Sequence, residues 1–301
     1  MEKRTIIHML DPMPHNSPFD LNMAADAGFE VLFPHNHVKL EEVGGLVQDA
    51  IFSRGPAGVK RTGIFIGGRD IGLAMGMLEA ARKAMVPPFE VSVFADPSGA
   101  FTTAAALVAC VERELKNQHG LPLKGRRAVV YGGTGPVGLA TGVIASLAGA
   151  DTTIVDPFNI ETALQKAEEY NRLCGCTLRG TYASSDADKA RLIAHADLVF
   201  CTAKAGVQVL NAEILADARQ LKVAGDVNAV PPLGVEGIKR KDFGAPLVHA
   251  TQSKGAVGIG ALAVGDIKYQ LQNRMLALML ETPNPVYLDF RDAFERAREL
   301  V

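Results

Sequence analysis

The chain is expected to be α/β: two open, mostly parallel-sheet domains with a cleft between them, the second a Rossmann-type dinucleotide-binding domain. Three observations predict this. Short runs rich in β-branched and aromatic residues alternate with apolar helical patterns along the 301 residues, as strands and covering helices do in parallel sheets. The polar stretch Lys116–Lys124, with Gly120 and Pro122, interrupts that alternation and marks a domain boundary. Just beyond it a strand pattern runs straight into Gly133-x-Gly135-x-x-Gly138 and then into an Ala-rich helical pattern. The expected division is residues 1–120 plus 266–301 as a substrate domain and 121–265 as an NAD(P)-binding Rossmann domain.

From the N-terminal end, Thr5 to Leu10 is expected as a strand, with Asp11-Pro12-Met13-Pro14 as the loop beyond it. Ser17-Pro18-Phe19-Asp20 opens a helix: Ser17 caps, Pro18 suits the first helical position, and Asp20 complements the dipole. Gly28 ends it, and Phe29 to Phe33 is the next strand. Val43 to Phe52 is helical in pattern, Gly63 to Gly68 a short buried strand, and Asp70 to Met85 a helix. After the break at Pro87-Pro88 comes a strand over Val91–Ala95, a polar loop over Asp96–Thr103 and a helix over Ala104–Leu115. Ligands of open sheets sit at the carboxyl ends of strands, so the loops after Leu10, Gly67 and Ala95 are candidate pocket walls.

In the second half each glycine of the motif has a mechanical job. Gly133 permits the tight turn, Gly135 lets a pyrophosphate approach the backbone, and Gly138 lets the helix pack on the strand. Thr134, Pro136 and Val137 complete the loop, whose helix N-terminus turns free N–H groups toward phosphate. Asp151 to Val155 is the next strand, ending on Asp156 where a dinucleotide site keeps the acid for the adenosine ribose. Thr162 to Leu173 is helical, with Leu164, Ala167 and Leu173 on one face. Asp197 to Ala203 is a strand, and its small terminal residues, with Thr202 and Ala203 as cofactor contacts, suit a loop under a nicotinamide ribose. Leu221 to Asn228 is another strand, followed by an irregular turn over Ala229–Gly234. Lys254–Leu262 is glycine-rich without the dinucleotide frame. A helix over Ala263–Leu280 carries Ile267, Leu271, Met275 and Leu278 as a core stripe, and Asp289–Leu300 turns Phe290, Phe294 and Ala297 inward.

A net charge of -2 gives no reason to propose nucleic acid or an anionic membrane as partner. No apolar run approaches a membrane span, and Met1-Glu2-Lys3-Arg4 does not open a signal peptide. The four cysteines include Cys174-Gly175-Cys176, a C-x-C pair unlike redox or zinc sites, so thiols in a reducing cytoplasm are expected. His35-Asn36-His37 offers two imidazoles without a third ligand nearby and reads as a surface loop; no metal is expected.

With these residues in place, the sequence resembles the bacterial NAD(P)-dependent methylene-tetrahydromethanopterin dehydrogenases over nearly its whole length. Ser17-Pro18-Phe19-Asp20, Ile51-Phe52-Ser53-Arg54, Thr62–Gly68, Phe94-Ala95-Asp96-Pro97 and Phe101-Thr102-Thr103 carry the resemblance in the first half. Asp226–Pro232, Gly258–Gly265 and Lys268-Tyr269-Gln270 carry it in the second. The resemblance implies hydride transfer from 5,10-methylene-tetrahydromethanopterin to NAD(P)+ in formaldehyde oxidation, by a cytoplasmic homo-oligomer. That chemistry leaves an amidinium-type cation and moves no proton, so it needs positioning groups and neither a catalytic triad nor a metal. Asp20 is the first candidate for stabilising the cation; it reads equally as a first-turn helix acid. Lys268 matches the position of a lysine proposed for the family's active site, and an orienting role through a pterin carbonyl or a water suits its charge. Ser98, Thr102 and Lys254 are candidate pterin contacts and Asn228 a cofactor contact, with helix capping the alternative for Thr102.

Asp156 repels a 2′-phosphate and accepts free ribose hydroxyls, so NAD is the expected preference and NADP the second cofactor. Two other enzyme readings and a non-catalytic one stand beside this. A methylene-tetrahydrofolate dehydrogenase would use the same plan, but no tyrosine precedes Tyr131 to supply the Tyr-x-x-x-Lys pair of a cyclohydrolase. A shikimate-type dehydrogenase needs a lysine–aspartate pair that the sequence does not place. An NAD(P)-binding sensor would need the dinucleotide loop without Asp20, the Asp96–Thr103 loop and Lys268 together.

Overall fold

Strand and helix alternate as the patterning expects in the computed structural model, which describes residues 3–301. In chain order the elements begin β1 (Ile6–Leu10), α1 (Pro18–Asp26), β2 (Val31–His35), α2 (Val43–Phe52), α3 (Gly55–Val59), β3 (Thr62–Ile66), α4 (Ile71–Lys83), β4 (Ser92–Ala95) and α5 (Ala100–His119). They continue β5 (Arg127–Tyr131), α6 (Pro136–Leu147), β6 (Asp151–Asp156), α7 (Ile160–Cys174), β7 (Leu178–Tyr182), α8 (Asp186–Ile193), β8 (Leu198–Cys201), α9 (Ala212–Ala216) and β9 (Val223–Asp226). Last come β10 (Phe243–Pro246), β11 (Val257–Ile259), α10 (Ala261–Glu281), β12 (Tyr287–Leu288) and α11 (Phe290–Leu300). The described chain forms two compact units, one of residues 3–102 with Tyr269–Arg296, the other of Thr103–Lys268 with Ala297–Val301.

The first unit holds a five-stranded sheet in the order β12-β4-β3-β1-β2, parallel throughout. β3 and β4 are buried along their whole length, as strands covered on both faces must be. The chain runs from β1 outward to β2, then returns to β3 on the other side, so its direction of travel reverses beside β1. Asp70 accepts from the Leu73 N–H at 2.8 Å and starts α4, which packs on β3 and β4.

The second unit holds a seven-stranded sheet in the order β10-β11-β9-β8-β5-β6-β7, with only the β10–β11 pair antiparallel. Its direction of travel reverses between β5 and β8. α6 lies so close on β6 that a Cβ at Gly142 would stand 2.8 Å from Ile154 Cγ2. On the other face Tyr131, Val199, Leu215, Val235 and Leu247 form a buried cluster.

Several local expectations are corrected. The second strand lies at Val31–His35, later than Phe29–Phe33, because Phe29 is buried in the turn out of α1. α5 begins at Ala100 and not Ala104, since the fully buried Asp96 carboxylate accepts from Phe101 N and Thr102 N, and it runs on through Lys116 to His119. On α7 the buried stripe is Ala163, Ala167 and Tyr170, whereas Leu164 and Leu173 are 49% and 48% exposed. On α10 the buried residues include Val264, Leu271, Gln272, Met275, Leu276 and Met279, whereas Ile267 and Leu278 are half-buried. β7 and β10 escaped the patterning because both are edge strands, one with polar residues, the other with Gly244 and Pro246 inside it.

Candidate active site

At the reversal point of the second sheet, the loops after β5 and β8 touch. A Cβ at Gly132 would stand 2.7 Å from Ala203 N, and the Thr202 hydroxyl donates to Tyr131 O at 2.8 Å. Gly133 and Gly138 are crowded by their own backbone: a Cβ at Gly133 would lie 2.7 Å from Val130 O, and one at Gly138 would overlap Gly132 O. Gly135 is different, for a Cβ there would meet only Gly132 O, at 3.5 Å. Its outer side is open to an approaching phosphate. α6 begins there with Gly135 as its N-cap and Pro136 next, and no side chain caps it. α7, α8 and α9 are capped by Asn159, Ser185 and Asn211. The helix that follows the glycine loop therefore keeps its first N–H groups, Val137 among them, and its positive dipole end for an anion. The cradle fits a dinucleotide pyrophosphate.

Asp156 ends β6 as expected, 7% exposed. Its Oδ1 accepts from Phe158 N and Asn159 N, both at 2.8 Å, and its Oδ2 accepts from the Thr134 hydroxyl at 2.6 Å. Burial raises the affinity of this carboxyl for its proton, but the hydrogen bonds from Thr134, Phe158 and Asn159 outweigh it and leave the group below the usual carboxylate range. The same bonds fold the loop so that Phe158 stands out into solvent, 87% exposed. The acid was legible in the sequence; its bond to Thr134 and the outward Phe158 were not.

Asn228, past the end of β9, is buried and makes three side-chain hydrogen bonds. Its Oδ1 accepts from Gly206 N at 3.1 Å and Val230 N at 2.9 Å, while its Nδ2 donates to Pro232 O at 2.9 Å. It pins the loops after β8 and β9 to each other. Beneath it Asp226 accepts from Asn228 N and Val235 N and lies beside the Cys201 thiol; burial raises both groups above their ordinary values. Lys254 is not brought to this group. It precedes β11, which runs parallel to β9, and so stands exposed at the opposite end of the sheet.

In the first unit the reversal again brings two loops together. A Cβ at Gly67 would lie 2.5 Å from Asp11 Oδ2, and one at Gly68 would lie 2.8 Å from Pro12 Cγ. The loop after β4 joins them through the Ser98 hydroxyl, which donates to Gly68 O at 2.8 Å. Ser98 is exposed and holds φ at 53°, a left-handed conformation that a side chain rarely adopts, at the rim of this loop cluster. All three loops expected as walls therefore meet. Thr102 is fully buried inside the first turn of α5 and gives its hydroxyl to Asp96 Oδ2 at 2.6 Å, so the residue that accepts from this turn is Asp96 and not Thr102. Asp20 is buried in the first turn of α1, where its Oδ1 accepts from Gln272 Nε2 at 2.7 Å. Gln272, 252 positions away and completely buried, had no sequence signal beyond its place one turn after Lys268 on α10. Lys268 is half-buried, two turns into that helix.

His35 lies in β2, with its Nε2 3.0 Å from His8 Nδ1, and the described residues contain no group of three or more metal-binding side chains. Among them no helix is long and apolar enough to cross a membrane.

Comparisons with known proteins bear on the family and the fold. A family model described as methylene-tetrahydromethanopterin dehydrogenase, N-terminal, matches residues 18–98. The NAD(P)-dependent methylenetetrahydromethanopterin dehydrogenase of Methylorubrum extorquens is 48% identical over 297 residues, covering 99% of each chain. Among solved structures, shikimate 5-dehydrogenase from Listeria monocytogenes, in complex with shikimate and NAD, superposes with a TM-score of 0.53 at 14% identity, covering 99% of this chain and 96% of its own. Quinate dehydrogenase from Corynebacterium glutamicum, in complex with NAD, gives 0.51 at 14% identity, covering 98% of each. These two likenesses are of fold, that of Rossmann-type dehydrogenases. The sequence identity goes further: the chain belongs to the family of NAD(P)-dependent methylenetetrahydromethanopterin dehydrogenases.

Proposed function

We propose that the protein oxidises 5,10-methylene-tetrahydromethanopterin to its 5,10-methenyl form with NAD(P)+, in one-carbon (formaldehyde) oxidation, and that NAD is the preferred cofactor. The observation that carries this reading is the uncapped N-terminus of α6 over an open Gly135, in a chain 48% identical to a relative of that named activity. Bound nicotinamide supplies the hydride acceptor. The methylene C–H bond breaks with both electrons leaving on the hydrogen, a neighbouring nitrogen lone pair forms the C=N bond, and no proton is released at the reacting carbon.

The protein's part is to hold, orient and stabilise. The Gly133–Gly138 loop receives the pyrophosphate, Asp156 faces the adenosine ribose, and Phe158 offers the adenine an exposed ring. Thr202, Ala203 and the loops that Asn228 ties together form the nicotinamide side. Asp20 places negative charge toward the cation that develops on the pterin, with Gln272 fixing its orientation, and Lys268 orients the pterin through a carbonyl or a water. Ser98 lines the pterin loops. The reading includes a cytoplasmic homo-oligomer, and the four free cysteines suit a reducing compartment.

The test is a hydride-transfer assay pairing methylene-tetrahydromethanopterin and methylene-tetrahydrofolate each with NAD and NADP. Turnover of the methanopterin substrate with NAD favoured is expected, and Asp156→Ala should raise the KM for NAD about tenfold and abolish the preference. Turnover of the folate substrate alone would replace the reading, and a bound dinucleotide with no turnover would leave a sensor.

A further inference from the structure

We infer that Thr134 sets the balance between NAD and NADP, its hydroxyl serving as acceptor toward a free ribose and as donor toward a 2′-phosphate. This rests on the dinucleotide site proposed above. A carboxylate that takes both hydroxyls of a ribose needs two open lone pairs. Asp156 does not have them. Both in-plane lone pairs of Oδ1 are occupied by the Phe158 and Asn159 N–H groups, and Oδ2 has already accepted the Thr134 hydroxyl. One acceptor position is left on the acid, on Oδ2.

Thr134 makes up the difference. With its proton given to Asp156, its oxygen still has lone pairs to accept the second ribose hydroxyl. A 2′-phosphate brings acceptors only. Rotation of the Thr134 O–H away from Asp156 turns it into a donor for that phosphate, while the two backbone N–H groups continue to hold the carboxylate. The position suits both tasks: Thr134 is half-buried between Gly133 and Gly135, in the turn closed by the Gly135 N–H on Gly132 O at 3.2 Å. An acid held in this way makes NAD a preference and keeps NADP within reach. Valine at this position keeps the branched shape and loses the donor, leaving a 2′-phosphate beside the carboxylate with no hydroxyl to bind it. For NAD the loss of the threonine acceptor is offset by a second open position on Oδ2.

The experiment measures NADH and NADPH dissociation constants by nucleotide fluorescence on the full chain, with melting curves for each variant. Thr134→Val should raise the ratio of the NADPH to the NADH constant about tenfold, and Thr134→Ser should keep it within about twofold of the parent. If valine does not fold, Thr134→Ala reads the same ratio. A ratio unmoved by Thr134→Val, or moved equally by Thr134→Ser, overturns the inference. Parent protein that binds neither dinucleotide overturns the site itself. Binding with the expected shift but no pterin turnover supports the role of Thr134 and removes only the substrate reading.

Discussion

A buried carboxylate serves opposite ends depending on what its oxygens already hold. Asp96 spends both of its oxygens on the first turn of α5, and Asp156 spends most of its capacity on its own loop and Thr134. Asp20 differs in its partner, a buried amide on a distant helix, and so its position is set by tertiary packing. Asp20→Asn retains an oxygen to accept from Gln272 and removes the charge. Its kcat should fall by about 10- to 100-fold, a loss of about 1.4–2.7 kcal/mol of transition-state stabilisation, with the KM for NAD unchanged. A kcat within about twofold of the parent would return Asp20 to the role of a first-turn helix acid. The sequence placed Asp20 correctly at the start of a helix, but nothing within a turn of it names Gln272.

Among the elements, the parallel pair β1–β2 carries a titration with a definite sign. The register sets His8 of β1 against Phe33 of β2, with which its ring stacks at 5.3 Å, and His35 lies within hydrogen-bond distance. Burial, then the neighbouring His35 and Arg54, push His8 from 6.5 down to about 4. Between those values the unfolded chain binds a proton that the folded chain does not, so stability falls as pH drops from 6.5 toward 4. His8→Leu should flatten this acid slope by about 1–2 kcal/mol, once partial exposure is allowed for. Denaturant midpoints at pH 7.5 and pH 5 check it, and equal slopes in both proteins would refute it. The strands themselves were legible as apolar runs; the pairing of His8 with His35 required the register. On α7 the buried face is Ala163, Ala167 and Tyr170, which keep the i, i+4, i+7 spacing, whereas Leu164 and Leu173 stand about 180° from each other around the helix and are both exposed, so the expected stripe was not one face. The sheet packs closely against the alanine face: Gly180 of β7 lets the α7 backbone at Ala163 approach so near that a Cβ on Gly180 would overlap Ala163 O.

For the whole molecule, both sheets use one device, a reversal of strand order that leaves loops abutting at the carboxyl ends. A ligand held there stabilises the native state without any change of fold. NAD at about a hundred times its dissociation constant should add about 2.7 kcal/mol, raising the melting temperature by several degrees. Thermal unfolding with and without NAD reads this directly, and an unmoved transition would argue against the dinucleotide site. By itself the sequence determined the alternation of strands and helices, the glycine loop and the acid at the end of β6, since each depends on residues adjacent along the chain. Tertiary structure alone decided that Thr134 shares the Asp156 carboxylate, that Gln272 holds Asp20, that Asn228 is spent on pinning two loops, and that Lys254 stands at the far end of its sheet. The physical reason is the range of the interaction. Backbone conformation and burial patterns are written within a few residues, whereas a polar side chain's role is set by whichever partner the fold brings to its lone pairs, often from far along the chain.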